Sequence, residues 1–378
     1  MRGGVLLVTR NFPPLWGGME RLNWHMAEEL ARSVPVVVIA PKGARARAPQ
    51  GVEVHEAPLA PLPRFLTSAA VQAVRQARLW RPAVVLAGSG LTAPVALLAA
   101  RSARARAAAY VHGLDIAVDH PLYRALWLPC LRRMDAVLAN SRATAALAQT
   151  AGVASERLSI VPPGVSLPHD DEAHCADLAT AFRRTHGLEG RRVLITVGRL
   201  TERKGVSAFV REALPHIVQA QPEVCLVVVG EPPRAALAAR PDPPEAIMAA
   251  ADTAGLAGRV HLLGNVPDAT LTAAWYAADV HVFPVRALPN DPEGFGMVAV
   301  EAAAHGVPTV AYATGGVTDA VSTGVSGRLV PPGDARAFAR AVIELLDHPL
   351  PRLPMQAFAA EFAWGKFGLK VAEAIGLV

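Results

Sequence analysis

The stretch Glu293-Gly294-Phe295-Gly296-Met297-Val298-Ala299-Val300-Glu301 carries a carboxylate at each end and two glycines just inside the first. If the run is helical, the two carboxylates lie about 12 Å apart, because each residue of a helix rises about 1.5 Å. That separation is too large for them to share one proton or one water. The glycines let an anion approach the backbone N–H groups at a helix start. Hydroxyl-binding carboxylates with an anion site between them fit a nucleotide-sugar, which has a hexose, a diphosphate and a ribose.

The pattern along the rest of the chain predicts parallel sheets. Short apolar runs alternate with longer helical patterns, which is typical of βαβ units, and 378 residues suit two domains. We therefore predict an α/β fold of two Rossmann-like, doubly wound domains that face each other across a cleft. The first covers residues 1–165 and the second residues 166–350, with a C-terminal helix in residues 351–378. Val165 to Glu189 shows no strand pattern and is predicted to be the connector.

The predicted strands of the first domain are Val5–Thr9, Val36–Ala40, Val52–Glu56, Ala83–Ala87, Ala107–Val111, Ala136–Ala139 and Leu158–Val161. Those of the second are Val193–Val197, Cys225–Val229, Val260–Leu263, Val280–Phe283, Thr309–Tyr312 and Gly327–Val330. The longest predicted helices of the first domain are Gly17–Arg32, Arg64–Trp80 and Leu122–Met134. The uncharged run Ala83–Ala100 is near the lower length limit for a membrane span. Its internal glycines and Pro94 predict a strand and a short helix instead.

The net charge of +5 is unevenly distributed. The first 165 residues contain 19 Lys and Arg against 9 Asp and Glu, whereas the remainder contains 18 against 23. This bias indicates either an anionic partner for the first half, nucleic acid or lipid, or arginines on solvated helix faces, and both interpretations stay open. Three widely spaced cysteines exclude a full disulfide framework and favour a reducing cytoplasm.

Several catalytic and binding motifs are missing. There is no G-x-G-x-x-G after the first strand of either domain, no P-loop and no G-x-S-x-G elbow. No two aspartates are spaced two apart, so the usual metal-chelating feature of metal-dependent sugar transferases is missing, and we expect neither a metal nor a cofactor. A polar cluster in the connector matches no zinc pattern and is interpreted as solvated. It consists of His169, Asp170, Asp171, Glu172, His174 and Cys175.

Three segments could bind a phosphate or act on a sugar. Gly17 and Gly18 follow the first strand and precede a helix, where a phosphate could meet backbone N–H groups. Arg199 and Lys204 follow the first strand of the second domain, the usual place of a diphosphate in such folds. His112 ends another strand of the first domain. Each has an ordinary alternative: a loop that needs glycine, a surface ion pair of Lys204 with Glu202, and a structural histidine.

These segments together resemble the retaining glycosyltransferases of family 4, which have the GT-B fold of two Rossmann-like domains. The resemblance covers most of the chain, and its motifs come in the family's order. They are Phe12-Pro13-Pro14 with Gly17-Gly18 and Glu20, His112-Gly113, Asn140-Ser141, Gly198-Arg199-Leu200 with Lys204-Gly205, Glu293-Gly294-Phe295-Gly296 with Glu301, and Gly306-Val307-Pro308 followed by Gly315-Gly316.

The resemblance implies a role for each candidate residue. His112 and Glu293 are implied to be catalytic, with His112 beside the reacting face of the sugar and Glu293 on the hydroxyls of the transferred sugar. The implied substrate-binding residues begin with Arg199 and Lys204, the cations for the diphosphate, and with Gly17 and Gly18, which close on it. Glu301 is implied to hold the ribose, and the backbone at Asn265 to contact the base. The N–H groups that cup sugar and phosphate belong to Phe295, Gly296 and Met297.

The implied reaction moves a hexosyl unit from a UDP- or GDP-sugar to a glycan or lipid-linked acceptor, with no metal and no nucleic-acid partner. The family pattern further implies that the last helix, Phe362–Ile375, crosses back to the first domain. One departure is Gly230-Glu231-Pro232-Pro233, where proline replaces the second glycine of a common Gly-x-Gly-Pro turn. An epimerase of the same fold and a non-catalytic nucleotide-sugar binder are the competing interpretations.

Two arginine-rich amphipathic helices, Arg64–Arg81 and Leu122–Met134, bear on the location. They either pack on their own sheet or lie on an anionic membrane, where each basic residue contributes about 1 kcal/mol. We therefore expect a cytoplasmic enzyme of polysaccharide biosynthesis, with peripheral contact at the inner face of the cell membrane as the open alternative.

Overall fold

A computed structural model describes residues 3–15, 17–168, 171–233 and 240–377. The chain forms two compact units. The first comprises Met1–Gly164, Asn290–Phe295 and Phe362–Val378, and the second comprises Val165–Pro289 and Gly296–Glu361. The chain therefore passes between the units more than once, and one passage falls inside the Glu293–Glu301 run.

The first unit is built on a seven-stranded parallel sheet in the order β3-β2-β1-β4-β5-β6-β7. Its central strands are buried and apolar throughout, because helices cover both faces of a parallel sheet. The strands are β1 Val5–Val8, β2 Val36–Pro41, β3 Val52–Ala57, β4 Val84–Ala87, β5 Arg106–Val111, β6 Ala136–Ala139 and β7 Leu158–Ile160. The helices are α1 Gly18–Ala31, α2 Leu62–Trp80, α3 Ala93–Ala103, α4 Leu114–Ala117, α5 Pro121–Leu126, α6 Leu128–Leu131 and α7 Arg142–Thr150.

The second unit is built on a six-stranded parallel sheet in the order β10-β9-β8-β11-β12-β13. Its strands are β8 Arg192–Val197, β9 Val224–Val229, β10 Val260–Gly264, β11 Val280–Phe283, β12 Thr309–Tyr312 and β13 Gly327–Val330. Its helices are α8 Glu172–Thr185, α9 Val206–Glu212, α10 Leu214–Ala220, α11 Pro244–Thr253, α12 Asp268–Ala277, α13 Met297–Ala304, α14 Val317–Ala320, α15 Ala335–Asp347 and α16 Arg352–Ala360. In each sheet the carboxyl ends of the parallel strands lie along one edge of that sheet, where such folds bind ligands.

The last helix, α17 Trp364–Ala374, packs on α1 within the first unit. The Trp364 ring stacks on His25 with 4.0 Å between ring centroids. Gly164 lies so close to the Trp364 ring that a methyl group added there would overlap it. The end of the Met1–Gly164 segment is thus anchored against the C-terminal helix.

The predicted strands are all present to within a residue or two at their ends, and the predicted α/β fold of parallel sheets is confirmed. The predicted connector Val165–Glu189 has no strand among its described residues and contains α8, whose N-cap Asp171 accepts a hydrogen bond from the backbone N–H of His174 at 2.8 Å. His169 and Asp170 lie outside the described residues. Leu122–Met134 is not one helix: Pro129 has no N–H to donate, and the segment divides into α5 and α6.

The Glu293–Glu301 run is helical only from Met297, where α13 begins. Gly296 has φ +95°, a left-handed conformation that cannot continue a right-handed helix. The assumption that one helix joins both carboxylates is therefore wrong. Throughout the described ranges, every helix falls short of the length and apolarity that crossing a membrane requires.

A buried histidine in the second unit predicts a pH-dependent stability. Burial, followed by the charge of Lys204, lowers the pKa of His281 to about 3. An unfolded histidine titrates near pH 6.5, so above that pH the neutral side chain costs the folded state nothing. As the pH falls from 6.5 toward 3, the free energy of unfolding decreases by about 1.4 kcal/mol per pH unit. We expect His281→Leu to reduce this slope in chemical denaturation between pH 7 and 5. The exposed control His216→Leu should keep it, and equal slopes in all three proteins would contradict the assignment.

Candidate active site

The carboxyl edge of the first sheet gathers polar groups around His112. Strands β4, β5 and β6 are neighbours, and the residues that directly follow them are Gly88, His112 and Asn140. The His112 side chain is buried, and its Nε2 lies 2.9 Å from the carbonyl oxygen of Gly88. Because a carbonyl can only accept, Nε2 carries the proton of this hydrogen bond, and a neutral ring has its lone pair on Nδ1.

The Glu293-Gly294 segment lies against His112 in the same unit. A methyl group at Gly294 would overlap the His112 carbonyl oxygen and lie 2.6 Å from Nδ2 of Asn140, which donates weakly to that oxygen at 3.4 Å. Only glycine allows this close approach. The structure therefore places Gly294, the residue after Glu293, directly against the backbone of His112. Phe295 is also in this unit and is buried. The centroid of its ring lies 5.6 Å from that of Phe362.

The glycine turn at the start of α1 is less open than the sequence suggests. Glu20 is buried in the first turn of the helix, where its carboxylate accepts from Asn11 Nδ2 at 2.8 Å. A methyl group at Gly17 would lie 2.5 Å from that carboxylate. Gly18 is exposed at the first position of the helix. The positive end of α1 is thus already next to a carboxylate, and a phosphate contact of Gly17 and Gly18 stays a prediction.

In the second unit, Arg199 and Lys204 line one pocket at the carboxyl edge of the sheet. The pocket is formed by the ends of β8, β9 and β11 and by the turn before α9. Its lining is Thr196, Val197, Gly198, Arg199, Leu200, Lys204, Val206, Val229 and Phe283. Two cations in one concavity at this edge suit a diphosphate.

Phe283 connects Lys204 with the start of α13. The Lys204 ammonium lies 4.6 Å from the centroid of the Phe283 ring, within the range of a cation–π contact. On the same ring, a methyl group at Gly296 would lie 2.8 Å from Cε1. Within the described residues no side chain caps the N-terminus of α13. The positive end of this helix is therefore close to the cationic pocket.

The proline-containing loop after β9 still supports the pocket. Gly230 packs so closely on the carbonyl of Gly198 that a methyl group there would overlap it. The carbonyl of Glu231 accepts from the backbone N–H of Leu200 at 3.0 Å. Replacement of the second glycine by Pro232 therefore leaves intact the contacts that hold the segment carrying Arg199.

The other predicted donor-site residues lie at the same edge of the second sheet or on α13. Asn265 is exposed directly after β10, whose last residue, Gly264, accepts from the N–H of Gly230 at 2.8 Å. Met297 is the first residue of α13 and Glu301 is half-buried one turn later. Among the residues that the structure describes, no three His, Cys, Asp or Glu side chains are grouped as a metal site.

Two residues with clear contacts at these edges were missed from the sequence. Asp115 binds the backbone around His112, and Phe283 supports Lys204. The signal for Asp115 is its position three residues after His112 at a helix start, typical of an acceptor for backbone N–H groups. The signal for Phe283 is an aromatic residue at the carboxyl end of a strand.

Comparison with known proteins agrees with this class of fold. Anabaena HepE in complex with UDP-glucose superimposes with a TM-score of 0.79 at 21% identity over 100% of both chains. WaaG, a glycosyltransferase involved in lipopolysaccharide biosynthesis, gives a TM-score of 0.71 at 19% identity over 99% of both chains. At such identities the likeness shows the fold, which is GT-B.

Sequence relatives define the family. The model for glycosyl transferases group 1 matches residues 191–348, and the model for glycosyltransferase family 4 matches residues 16–168. The GDP-mannose-dependent alpha-(1-6)-phosphatidylinositol monomannoside mannosyltransferase of Mycolicibacterium smegmatis is 30% identical over 98% of this chain and 97% of its own. The 2-deoxystreptamine glucosyltransferase of Streptomyces kanamyceticus is 31% identical over 69% of this chain and 64% of its own. The chain belongs to glycosyltransferase family 4 and is an enzyme that transfers a sugar.

Phe283 gives a testable prediction for nucleotide binding. Phe283→Leu removes the ring beneath the Lys204 ammonium, and a cation–π contact contributes about 0.5–1 kcal/mol. We expect the dissociation constant of a nucleoside diphosphate to rise by about 2- to 5-fold by calorimetry. Phe338→Leu, the same change at another buried phenylalanine of the second unit, controls for lost packing. Unchanged binding in Phe283→Leu would contradict the role of the ring.

Proposed function

We propose that this enzyme is a retaining, metal-independent hexosyltransferase that uses a nucleoside diphosphate sugar. The observation that carries the proposal is the pocket shared by Arg199 and Lys204, with Phe283 linking Lys204 to the start of α13. Two cations and a helix N-terminus stabilise the charge that grows on a departing diphosphate. This electrostatic stabilisation by protein groups requires no metal ion.

The reaction breaks the bond between the anomeric carbon and the diphosphate oxygen and forms a bond to the acceptor hydroxyl on the same face. The hydroxyl proton passes to the departing phosphate oxygen. Glu293 holds hydroxyls of the transferred sugar, and His112 lies beside its reacting face. The close packing of Gly294 on the His112 backbone supports this pairing. Phe295, Gly296 and Met297 contribute backbone contacts to sugar and phosphate.

For the rest of the donor we propose that Glu301 holds the ribose hydroxyls and that the backbone near Asn265 contacts the base. The donor is a UDP- or GDP-sugar and the acceptor a glycan or a lipid-linked glycan. The mannosyltransferase relative is named for GDP-mannose as donor and phosphatidylinositol monomannoside as acceptor. This supports a nucleotide-sugar donor and a lipid-linked acceptor, and it does not decide between UDP and GDP for this enzyme.

The proposal is tested by incubating the enzyme with UDP-, GDP- and ADP-sugars and a panel of glycan and lipid acceptors. Thermal stabilisation identifies the donor, since a ligand at 100 times its Kd adds about 2.7 kcal/mol. We expect NMR to show a product with the anomeric configuration of the donor, formed equally in EDTA and in Mg²⁺. An inverted product, a need for added metal, or conversion of the donor without acceptor would each contradict the proposal.

We further propose that the first unit contacts an anionic membrane. Helix α2 packs on its sheet through Phe65, Ala69, Ala73 and Ala77, and its opposite face exposes Val71, Arg75, Arg78 and Leu79. Val71 and Leu79 are 70% and 71% exposed. Helix α5 likewise exposes Leu122, Arg124 and Leu126. Exposed apolar side chains among arginines are the composition of helices that lie on lipid surfaces.

Vesicle flotation tests this contact. We expect the protein to float with phosphatidylglycerol-containing vesicles at low salt and to remain unbound with phosphatidylcholine alone, because arginines attract anionic headgroups. Val71→Ser with Leu79→Ser should weaken the binding by about 10-fold, given the apolar area removed. Leu353→Ser, at a residue that is 79% exposed on α16, serves as the control. No binding of the wild-type protein at low salt would contradict the proposal.

A further inference from the structure

The carboxylate of Asp115 joins two segments of the first unit that lie next to His112. Its Oδ1 accepts from the backbone N–H of His112 at 2.8 Å, and its Oδ2 accepts from the backbone N–H of Gly90 at 2.7 Å. The first N–H belongs to the segment after β5 and the second to the segment after β4. Both oxygens of one carboxylate are thus used to hold neighbouring segments in register.

Together with the hydrogen bond of the His112 imidazole, these bonds form a closed hydrogen-bonded network. Gly88, which accepts from His112 Nε2 at 2.9 Å, lies two residues before Gly90 in the same segment. The backbone of His112 is therefore tied to this segment through Asp115, and its ring is tied to the segment directly. A donor bound to a carbonyl fixes both the orientation of an imidazole and the nitrogen that carries its proton.

Asp115 is itself held in place from helix α5. The Tyr123 hydroxyl donates to the Asp115 carbonyl oxygen at 2.6 Å. Burial, followed by the charge of Asp115, raises the pKa of Tyr123, so the hydroxyl stays protonated as a donor. The Tyr123 ring stacks on Trp127 at 5.5 Å, and Trp127 Nε1 donates to the carbonyl of Leu91 at 2.8 Å. Helix α5 and its continuation thus support the same two segments.

We propose that Asp115 is a positioning residue for His112, which it holds in the orientation and Nε2-protonated form needed beside the sugar, with Tyr123 supporting Asp115. This inference rests on the proposed function of His112 in hexosyl transfer. Asp115 acts through His112 and the Gly88–Gly90 segment. Its negative charge has no direct contact with substrate in this role.

The test compares Asp115→Asn, Asp115→Glu and Tyr123→Phe with the wild type. An amide presents only one accepting oxygen, so Asp115→Asn loses one of the two backbone bonds. We expect its kcat to fall by about 100-fold while the donor KM changes by about 2-fold or less, because orientation rather than binding is lost. Tyr123→Phe, which removes one supporting bond, should lower kcat by about 5- to 10-fold.

A direct readout follows the His112 ring. In the ¹⁵N spectrum of selectively labelled protein we expect a single Nε2–H tautomer for wild type and a mixture for Asp115→Asn. Asp119→Asn, an exposed aspartate paired with Arg124 at 3.4 Å, should match the wild type in both kinetics and spectrum. If Asp115→Asn does not fold, Asp115→Glu and Tyr123→Phe give the same two readouts.

The outcomes separate the two proposals. An unchanged His112 tautomer together with a kcat within about 3-fold of wild type in the Asp115 variants would overturn the positioning role. Full activity of His112→Ala would overturn the proposed role of His112 in transfer. The tautomer in Asp115→Asn would in that case still report whether Asp115 orients the ring.

Discussion

Replacement of Lys204 by alanine is expected to lower kcat/KM for sugar transfer by about 10²- to 10³-fold. Loss of one preorganised donor to a developing oxyanion has an effect of this size. Lys204 shares a pocket with Arg199 and lies over the Phe283 ring, so its ammonium is held in place before the donor arrives. The loss should fall mainly on kcat, because the charge on the diphosphate grows as the glycosidic bond breaks.

The measurement is steady-state kinetics with the donor identified by thermal stabilisation. Lys370→Ala is the matched control, since Lys370 is an exposed lysine on α17. Arg199→Ala should behave like Lys204→Ala, and Arg211→Ala, at an exposed arginine next to Glu212, should behave like wild type. A Lys204→Ala enzyme with wild-type kcat would remove the central support for the proposed donor site.

Gly294→Ala is expected to reduce kcat by at least about 100-fold, because a shift of about 1 Å near the reacting atoms costs that much. The added methyl group would overlap the His112 carbonyl and approach Asn140 Nδ2, so either the His112 segment or the Glu293 segment must move. The donor pocket around Lys204 belongs to the second unit. We therefore expect nucleoside diphosphate binding to be nearly unchanged.

Gly365→Ala is the matched control, because nothing lies within 4 Å of a methyl group at that position on α17. It should keep full activity and gain up to about 1 kcal/mol in helix stability. Circular dichroism and calorimetry with nucleoside diphosphate show whether Gly294→Ala is folded. Full transfer activity of that variant would show that the close packing on His112 has no catalytic consequence.

The strands and the class of fold were readable from the sequence because their signals are local. A buried parallel strand is a short apolar run, and every predicted run became a strand of one of the two sheets. The placement of His112, Arg199 and Lys204 at carboxyl edges followed from the same pattern. Local reading failed where proline or glycine chemistry interrupts an otherwise helical pattern, as at Pro129 and Gly296.

What the tertiary structure alone decided is which of these residues touch. Spacing suggested one helix with a carboxylate at each end, whereas Glu293 belongs to the first unit and Glu301 to the second. Phe283 contacts Lys204, although the two residues are far apart in sequence. Asp115 accepts from the backbone N–H groups of His112 and Gly90, and backbone groups leave no trace in the side-chain pattern. A sequence records which side chains are available at each strand end. The distances among them depend on long-range packing, which no local pattern contains.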